Sequence, residues 1–501
     1  MTDSINKVSV QHIKFTEYPQ NPPFDPEKKY PEYEDEEYIS KHNPVYKAVR
    51  DALINLELDG ENINKSSWSP FKKFIKPGDK VVIKPNLVLD AIHQKAVTTH
   101  SSVLRPIIDY AWLALKKKGE ICICDAPLVG ADFQKIIDQT GLNELINILK
   151  ERGVNVFIED LRARKVIVNN NIWIGEKLNS EKRKQSIEVD LKDLSFFSDK
   201  NICINKLGEG SYNRVQIKKN HTSYSHKYRI SKRILEADVV ISVPKLKTHK
   251  KAGLTLCLKN LVGINVDKNY LPHFTYGPSN YGGDEFPPVS FCRFFLLKLF
   301  KSARYLFLGK LGFVFSKPIA KIVGIFNKIH FKIDDESPTG KEEPAKKIYK
   351  IITGTDYAGA WQGNETIWRM ILDLNRIFLY SDSIGKLHDK IQRRVFYIVD
   401  GFISGVHNAP LNPEIYKASI VFVGYNAAMV DRAILELAGI DFNKIPLYRE
   451  VFSGGKRWLY QDDLFEIVLN GKILDHTDIK PIIKLREPDY WSFNKKNNAI
   501  T

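Results

Sequence analysis

Five short, continuous apolar runs leave this chain few architectures. They are DKVVIKPN (79–86), GEICICDAP (119–127), ADVVISVPK (237–245), RRVFYIVDG (393–401) and SIVFVGYN (419–426), each ending in polar residues and followed by a helical pattern. A strand that is apolar on both faces must be buried on both, and alternation with helices supplies the covering layers. The expected class is therefore α/β, with mainly parallel sheets covered by helices. Ligands of such sheets bind outside the carboxyl ends of the strands, so the residues closing each run are the first candidates for chemistry.

Those ends carry Lys84 and Asn86, Asp125, Lys245 with Lys247 and His249, Asp400, and Asn426 with Asp431 close behind. Lys84 lies between Ile83 and Pro85, where an ammonium either snorkels to water or is held by an anion. The densest stretch, VPKLKTHKKAGLTLCLKNLVGIN (243–265), contains Lys245, Lys247, Lys250, Lys251 and Lys259 with one histidine, His249. Lysines are point charges suited to phosphate or carboxylate, and Gly253 and Gly263 let backbone amides approach an anion. The sequence lacks both a G-x-x-x-x-G-K-[ST] loop and a G-x-G-x-x-G turn after a strand, which excludes an ordinary P-loop and a dinucleotide fingerprint. The expected anion-binding residues are Lys84, Asn86, Lys247, Lys259 and Asn260, and the expected catalytic residues are His249, His273 and Lys245.

His273 belongs to a turn-rich loop, LPHFTYGPSNYGGDEFPP (271–288), that also contains Asp284 and Glu285. A histidine near a carboxylate suits proton transfer. The segment 360–380 reads as a helix with Asn364 at its cap and a Glu365–Arg369 ion pair, with Trp361 and Trp368 able to border a sugar or a headgroup. Asp125, Asp400 and Asp431, with Asp284 as a further carboxylate, are candidate oxygen donors for a hard divalent cation, and the cofactor is otherwise left open. Each aspartate also has a plain turn or helix role, Asp400 in an Asp-Gly turn. The histidines are too dispersed for a zinc motif.

Charge marks the segment outside the core. The chain carries +16, and nine of its basic residues fall between Val289 and Lys332 with no acid among them. Lys310, Lys317, Lys321, Lys328 and Lys332 step by 7, 4, 7 and 4, which keeps them on one helical face opposite Phe, Leu and Ile. A basic residue interrupts every few positions, so an interfacial helix fits and a span does not. The expected organisation is an N-terminal arm and first core elements (1–77), the first part of the α/β core (78–288), a basic amphipathic helical insertion with linker (289–347), the second part of the core (348–480) and a C-terminal tail (481–501). No basic stretch leading into an apolar one opens the chain, so the cytoplasm is the expected compartment, with peripheral attachment to the inner face of a membrane through residues 289–332. Five cysteines without C-x-x-C spacing read as reduced thiols. Nucleic acid is disfavoured because the charge comes without a reading helix, an RNA-binding sheet motif or a zinc finger.

The runs GDKVVIKPNLV (78–88), VTTHSSVLRPIID (97–109), CDAP (124–127) and ADVVISVPKLKTHKKAGLTLCLKNLVGI (237–264) resemble, in order, the family called domain of unknown function 362. The resemblance extends from about Gly78 to Pro446. Some members of that family have ferredoxin-type cysteine clusters; this chain lacks the cysteine spacing, so no iron–sulfur cluster is expected. The layout is also similar to that of nickel-pincer lactate racemases, which use paired histidines as acid and base. The expected function is an enzyme acting on an anionic, phosphorylated or carboxylated substrate, a small molecule or a lipid-linked precursor, by isomerisation or group transfer. The alternative is a non-catalytic scaffold docked on anionic lipid.

Overall fold

The computed structural model describes residues 6–493 apart from 16, 34–38, 40–42, 92–93, 170–171, 200–201, 210–211, 296, 298–343, 455, 457, 460–464 and 476–478. Most of the basic insertion, including its five in-phase lysines, lies outside the described residues.

Twelve strands form one mixed sheet. In chain order they are β1 (Asn6–His12), β2 (Lys80–Pro85), β3 (Glu120–Asp125), β4 (Val156–Asp160), β5 (Val239–Val243), β6 (Lys245–His249), β7 (Gly253–Thr255), β8 (Arg394–Val406), β9 (Glu414–Tyr416), β10 (Ile420–Gly424), β11 (Phe465–Leu469) and β12 (Lys472–Ile473). The spatial order is β12-β11-β1-β10-β8-β5-β2-β3-β4, with β6 and β9 also paired to β8, and β7 to β6. From β8 to β4 every neighbour is parallel, whereas β10 runs antiparallel to both β8 and β1. All five apolar runs are strands, and the fold is α/β.

Period-two alternation divides each strand between two cores. Val82, Cys122, Val240, Tyr397, Val399 and Phe422 enter one, beside helices α4 (Ile367–Tyr380) and α5 (Ala427–Leu437). Ile83, Ile123, Ile241, Phe396, Ile398 and Val423 enter the other, beside α1 (Pro44–Asn55) and α2 (Ser101–Leu115). Runs that looked uniformly apolar are thus apolar twice over.

Two strands depart from expectation. The third run breaks at Pro244, and the chain resumes as β6 alongside the same partner, with Lys245 opposite Asp400. The fourth continues for 13 residues through Asp400 and Gly401. The expected Asp-Gly turn is corrected here: a Cβ on residue 401 would lie 2.8 Å from both Ile420 Cγ2 and its carbonyl oxygen, so the glycine serves close strand packing.

Candidate functional site

At the ends of β2 and β3, Lys84 and Asp125 close on each other. Lys84 Nζ donates to Asp125 Oδ1 at 2.8 Å, to the Pro85 carbonyl at 3.0 Å and to Asn260 Oδ1 at 3.3 Å. An ammonium has three protons, and all three are used. Asp125 also accepts from the backbone N–H groups of Leu87 and Ala126. Asn260 donates in turn to the Lys84 carbonyl and to Ser242 Oγ. The Leu261–Ile264 turn lies directly on the pair: a Cβ at Gly263 would sit 1.9 Å from Asp125 Oδ1. The structure thus places Lys84 and Asn260, expected among the anion-binding residues, together at these strand ends, with their polar groups engaged with the protein.

A second buried unit spans β6, β8 and the N-terminal arm. Lys245 Nζ donates to Asp400 Oδ2 at 2.9 Å and to the Tyr18 hydroxyl at 2.8 Å, while Tyr18 donates to Asp400 Oδ1 at 2.5 Å. The His100 backbone N–H adds a bond to Asp400 Oδ2, and the His100 ring stacks on Tyr18 with centroids 4.0 Å apart. Lys245 and Asp400 are both 0% exposed. Burial lowers the Lys245 pKa, with Asp400 opposing, and burial pushes the Tyr18 hydroxyl well above its ordinary range. Lys245, expected among the catalytic residues, is thus held inside the protein by Asp400 and Tyr18. Tyr18 and His100 were missed by the sequence reading; no local signal links an arm residue to a strand 382 positions away.

The third unit differs because, among the described residues, no carboxylate forms an ion pair with Lys247, Lys259 or Lys268. Alternate residues of β6 share a face, so Lys247 and His249 follow Lys245 while Leu246 enters the core. Lys247 Nζ reaches only the Val97 carbonyl at 2.6 Å and Asn86 Oδ1 at 3.4 Å. Lys259, in the short helix α3 (Cys257–Asn260), has no side-chain hydrogen bond or ion pair among the described residues, and Lys268 has only the Val262 carbonyl at 3.4 Å. Burial, reinforced by neighbouring lysines, lowers Lys259 to about 7; burial likewise lowers Lys268 to about 7, and it takes Lys247 well below its ordinary value. Lys251, by contrast, pairs with Glu209 at 2.9 Å.

Two histidines complete this unit. His249 Nδ1 accepts from the Lys251 and Ala252 N–H groups, so the neutral ring carries its proton on Nε2. His273 Nδ1 faces the Leu271 carbonyl at 3.0 Å, an acceptor only, so its proton sits on Nδ1 and Nε2 is a free base. Burial lowers His273 to about 4 and His249 well below its ordinary value, with the charges of Lys259, Lys247, Lys251 and His273 adding to the effect at His249. One ring offers a proton and the other accepts one.

The carboxylates proposed for a cation do not meet. Asp125 and Asp400 are held as described, and Asp431, on α5, accepts from the Cys257 and Leu258 N–H groups and from the Tyr448 hydroxyl. Burial raises Asp431 to about 7. Among the described residues no three His, Cys, Asp or Glu side chains come together in a metal-holding group, which corrects the shared metal site. Asp284 instead accepts from the Thr275 N–H within the loop 271–288 and ties that loop to Glu365 and Thr366. The expected Glu365–Arg369 ion pair is absent as well: Glu365 pairs with Arg449 and Arg369 with Asp199. The N-cap position of α4 is Thr366, and Asn364, two residues earlier, accepts from the Thr366 and Ile367 N–H groups.

The family model described as "Domain of unknown function (DUF362)" matches residues 81–182 and 169–436. The chain belongs to the DUF362 family. Its matched core contains all three units except Tyr18, which lies before it. A curated relative, the thylakoid-associated protein sll1697 of Synechocystis sp. (strain ATCC 27184 / PCC 6803 / Kazusa), is 26% identical over 194 residues, 38% of this chain and 40% of the relative. The match thus spans less than half of that relative's length. A Thermotoga maritima protein of known crystal structure aligns over 77% of this chain and 56% of its own at 10% identity, with a TM-score of 0.30. No helix among the described residues of this DUF362 protein is long and apolar enough to cross a membrane.

Proposed function

We propose that this protein is an enzyme acting on an anionic, phosphorylated or carboxylated substrate by isomerisation or group transfer. Lys247, Lys259 and Lys268 hold the anion, His249 donates a proton from Nε2, and His273 receives one at Nε2. The observation that carries the reading is Lys247, a lysine 1% exposed whose printed partners among the described residues are two neutral acceptors, the Val97 carbonyl and Asn86 Oδ1, and which acts electrostatically on His249. Burying a cation without an anion is costly, so a site that keeps one is built to receive the anion. The Lys84–Asp125 and Lys245–Asp400 pairs form the rigid floor that orients these groups.

The test is turnover in D2O. Purified protein is incubated with a panel of 2-hydroxy carboxylates and phosphate esters and followed by proton NMR for signal loss next to the acid group and for new products. Turnover that disappears in both His249→Gln and His273→Gln, with thermal stability kept, supports the proposal. No turnover of any panel member, or turnover indifferent to both substitutions, overturns it.

The compartment is proposed with it: the cytoplasm, at the face of a membrane. Support comes from the basic, apolar segment 289–332 and from the printed name of the Synechocystis relative. Cosedimentation with anionic vesicles that is lost on deleting 298–332 is the expected result, and equal binding after deletion contradicts it.

A further inference from the structure

We infer that the anion this site receives is the headgroup of a membrane lipid, presented by the bilayer at the base of the basic segment. The inference rests on the anion-site and membrane-face readings above and names their common substrate. Its ground is where the chain leaves the core, at Leu297, and where it returns, at Pro344. The outgoing turn, 291–295, follows the loop 271–288 directly. Asn280 and Val289 exchange hydrogen bonds of 3.0 and 3.4 Å, and Phe294 stacks on Tyr281 with ring centroids 5.1 Å apart. The returning helix, Pro344–Thr353, packs Tyr349 with Leu297 and Phe286 in one small apolar cluster, and the Tyr349 hydroxyl donates to Glu285 Oε1 at 3.3 Å. Both roots therefore stand on one loop.

That loop and the returning helix are fastened to the two histidines. Asp356 joins Lys350, at 3.0 Å, to Lys250, at 2.6 Å, and Lys250 is the chain neighbour of His249. Lys251 pairs with Glu209, whose neighbour Gly208 accepts at its carbonyl from the His273 N–H at 2.9 Å. The His273 carbonyl accepts from Asn364 Nδ2 at 2.9 Å, and the Glu285 carbonyl accepts from the Gly359 N–H at 2.7 Å.

The roots present apolar side chains to solvent. Phe291 and Phe295, one turn apart, are 67% and 52% exposed, and Ile351 on the returning helix is 72% exposed. Phe294 and Leu297 turn inward. From Val289 to Lys332 the sequence supplies nine basic residues and no acid. Exposed aromatic and aliphatic side chains next to unopposed positive charge match the acyl–headgroup boundary of an anionic bilayer, and neither feature serves a substrate that arrives dissolved. A bilayer seated on Phe291, Phe295 and Ile351 lies two ion pairs from Lys250, so its headgroups face the turn that follows His249.

The experiment is flotation of the full chain with phosphatidylcholine vesicles doped with dioleoyl phosphatidate or with oleate, against vesicles brought to the same surface charge with phosphatidylglycerol. Glycerol 3-phosphate and lactate are titrated calorimetrically as the soluble counterparts. The expected result is binding to phosphatidate or oleate vesicles at least fivefold tighter than to phosphatidylglycerol vesicles. That excess is abolished in both Lys247→Met and His249→Gln, and all vesicle binding weakens fivefold or more when Phe291→Ser and Phe295→Ser are combined, two exposed changes that leave the melting temperature unaltered. Equal binding to all anionic vesicles, indifferent to the site variants, overturns the inference and leaves the membrane-face reading standing, as does an excess that the phenylalanine changes do not touch. If glycerol 3-phosphate or lactate binds as tightly as the lipid in a Lys247-dependent way, the lipid source fails and the anion-site reading stands. If neither vesicles nor soluble anions bind, all three readings fail.

Discussion

At the residue scale the site is set by contacts between positions far apart in the chain. Lys247, Lys259 and His249 were legible in the lysine-rich stretch, because cations that dense call for an anion. Lys84 and Asp125 were equally conspicuous but were read as ligand groups; sequence cannot reveal that two strand ends 41 residues apart satisfy each other. Gly263 belongs to that pair, since any side chain there strikes Asp125. Gly263→Ala is expected to destabilise the fold by about 1–3 kcal/mol through overpacking, seen as a lower urea midpoint. Tyr18→Phe removes a hydroxyl that bridges Lys245 and Asp400 and leaves both underbonded in the interior. The expected cost is about 1–3 kcal/mol, and a urea curve unchanged from that of the parent would contradict the framework role assigned to this residue.

At the scale of elements, the strands were readable because doubly buried β-branched runs have few other uses. Their interruptions were not, since Pro244 splits one strand and Gly401 lengthens another for reasons that lie in neighbouring strands. Helix α3 is the more telling case. Its four residues have little intrinsic stability, and two of its opening N–H groups are satisfied by Asp431 from α5. The sequence suggested Asp431 as a metal ligand; it works instead as a cap supplied from another helix, and it thereby positions Lys259. Asp431→Ala is expected to cost about 1–3 kcal/mol and to weaken orthophosphate binding, although the residue lies outside the lysine cluster. Calorimetry on the folded variant separates the two effects.

The whole molecule should show the charge imbalance in its pH dependence. Lys259 and Lys268, lowered to about 7 from 10.5, bind fewer protons folded than unfolded across that interval, so their contribution to stability grows as pH rises from about 7 toward 10. Asp284, Asp373 and Asp431, raised to about 7 from 3.8, act in the opposite sense at lower pH: the folded form holds the extra protons, and stability from these groups declines as pH climbs toward 7. The melting temperature of the ligand-free protein is therefore expected to rise between pH 7.5 and 9.5, inside the window from about 7 to 10.5 set by the lysines, and Lys259→Met is expected to flatten that rise. A parent curve that is flat or falling there would contradict the unpaired-lysine account.

The central claim is that two neutral histidines of opposite tautomer stand beside uncompensated lysines that receive an anion. Long-range nitrogen–proton NMR of histidine-labelled protein at pH 7, with and without orthophosphate, tests it most directly. The account predicts that His249 carries its proton on Nε2, that His273 carries its proton on Nδ1, and that both rings shift on adding phosphate, with the shifts abolished by Lys259→Met. Matching tautomers, a protonated ring in the free protein, or spectra indifferent to phosphate would contradict it.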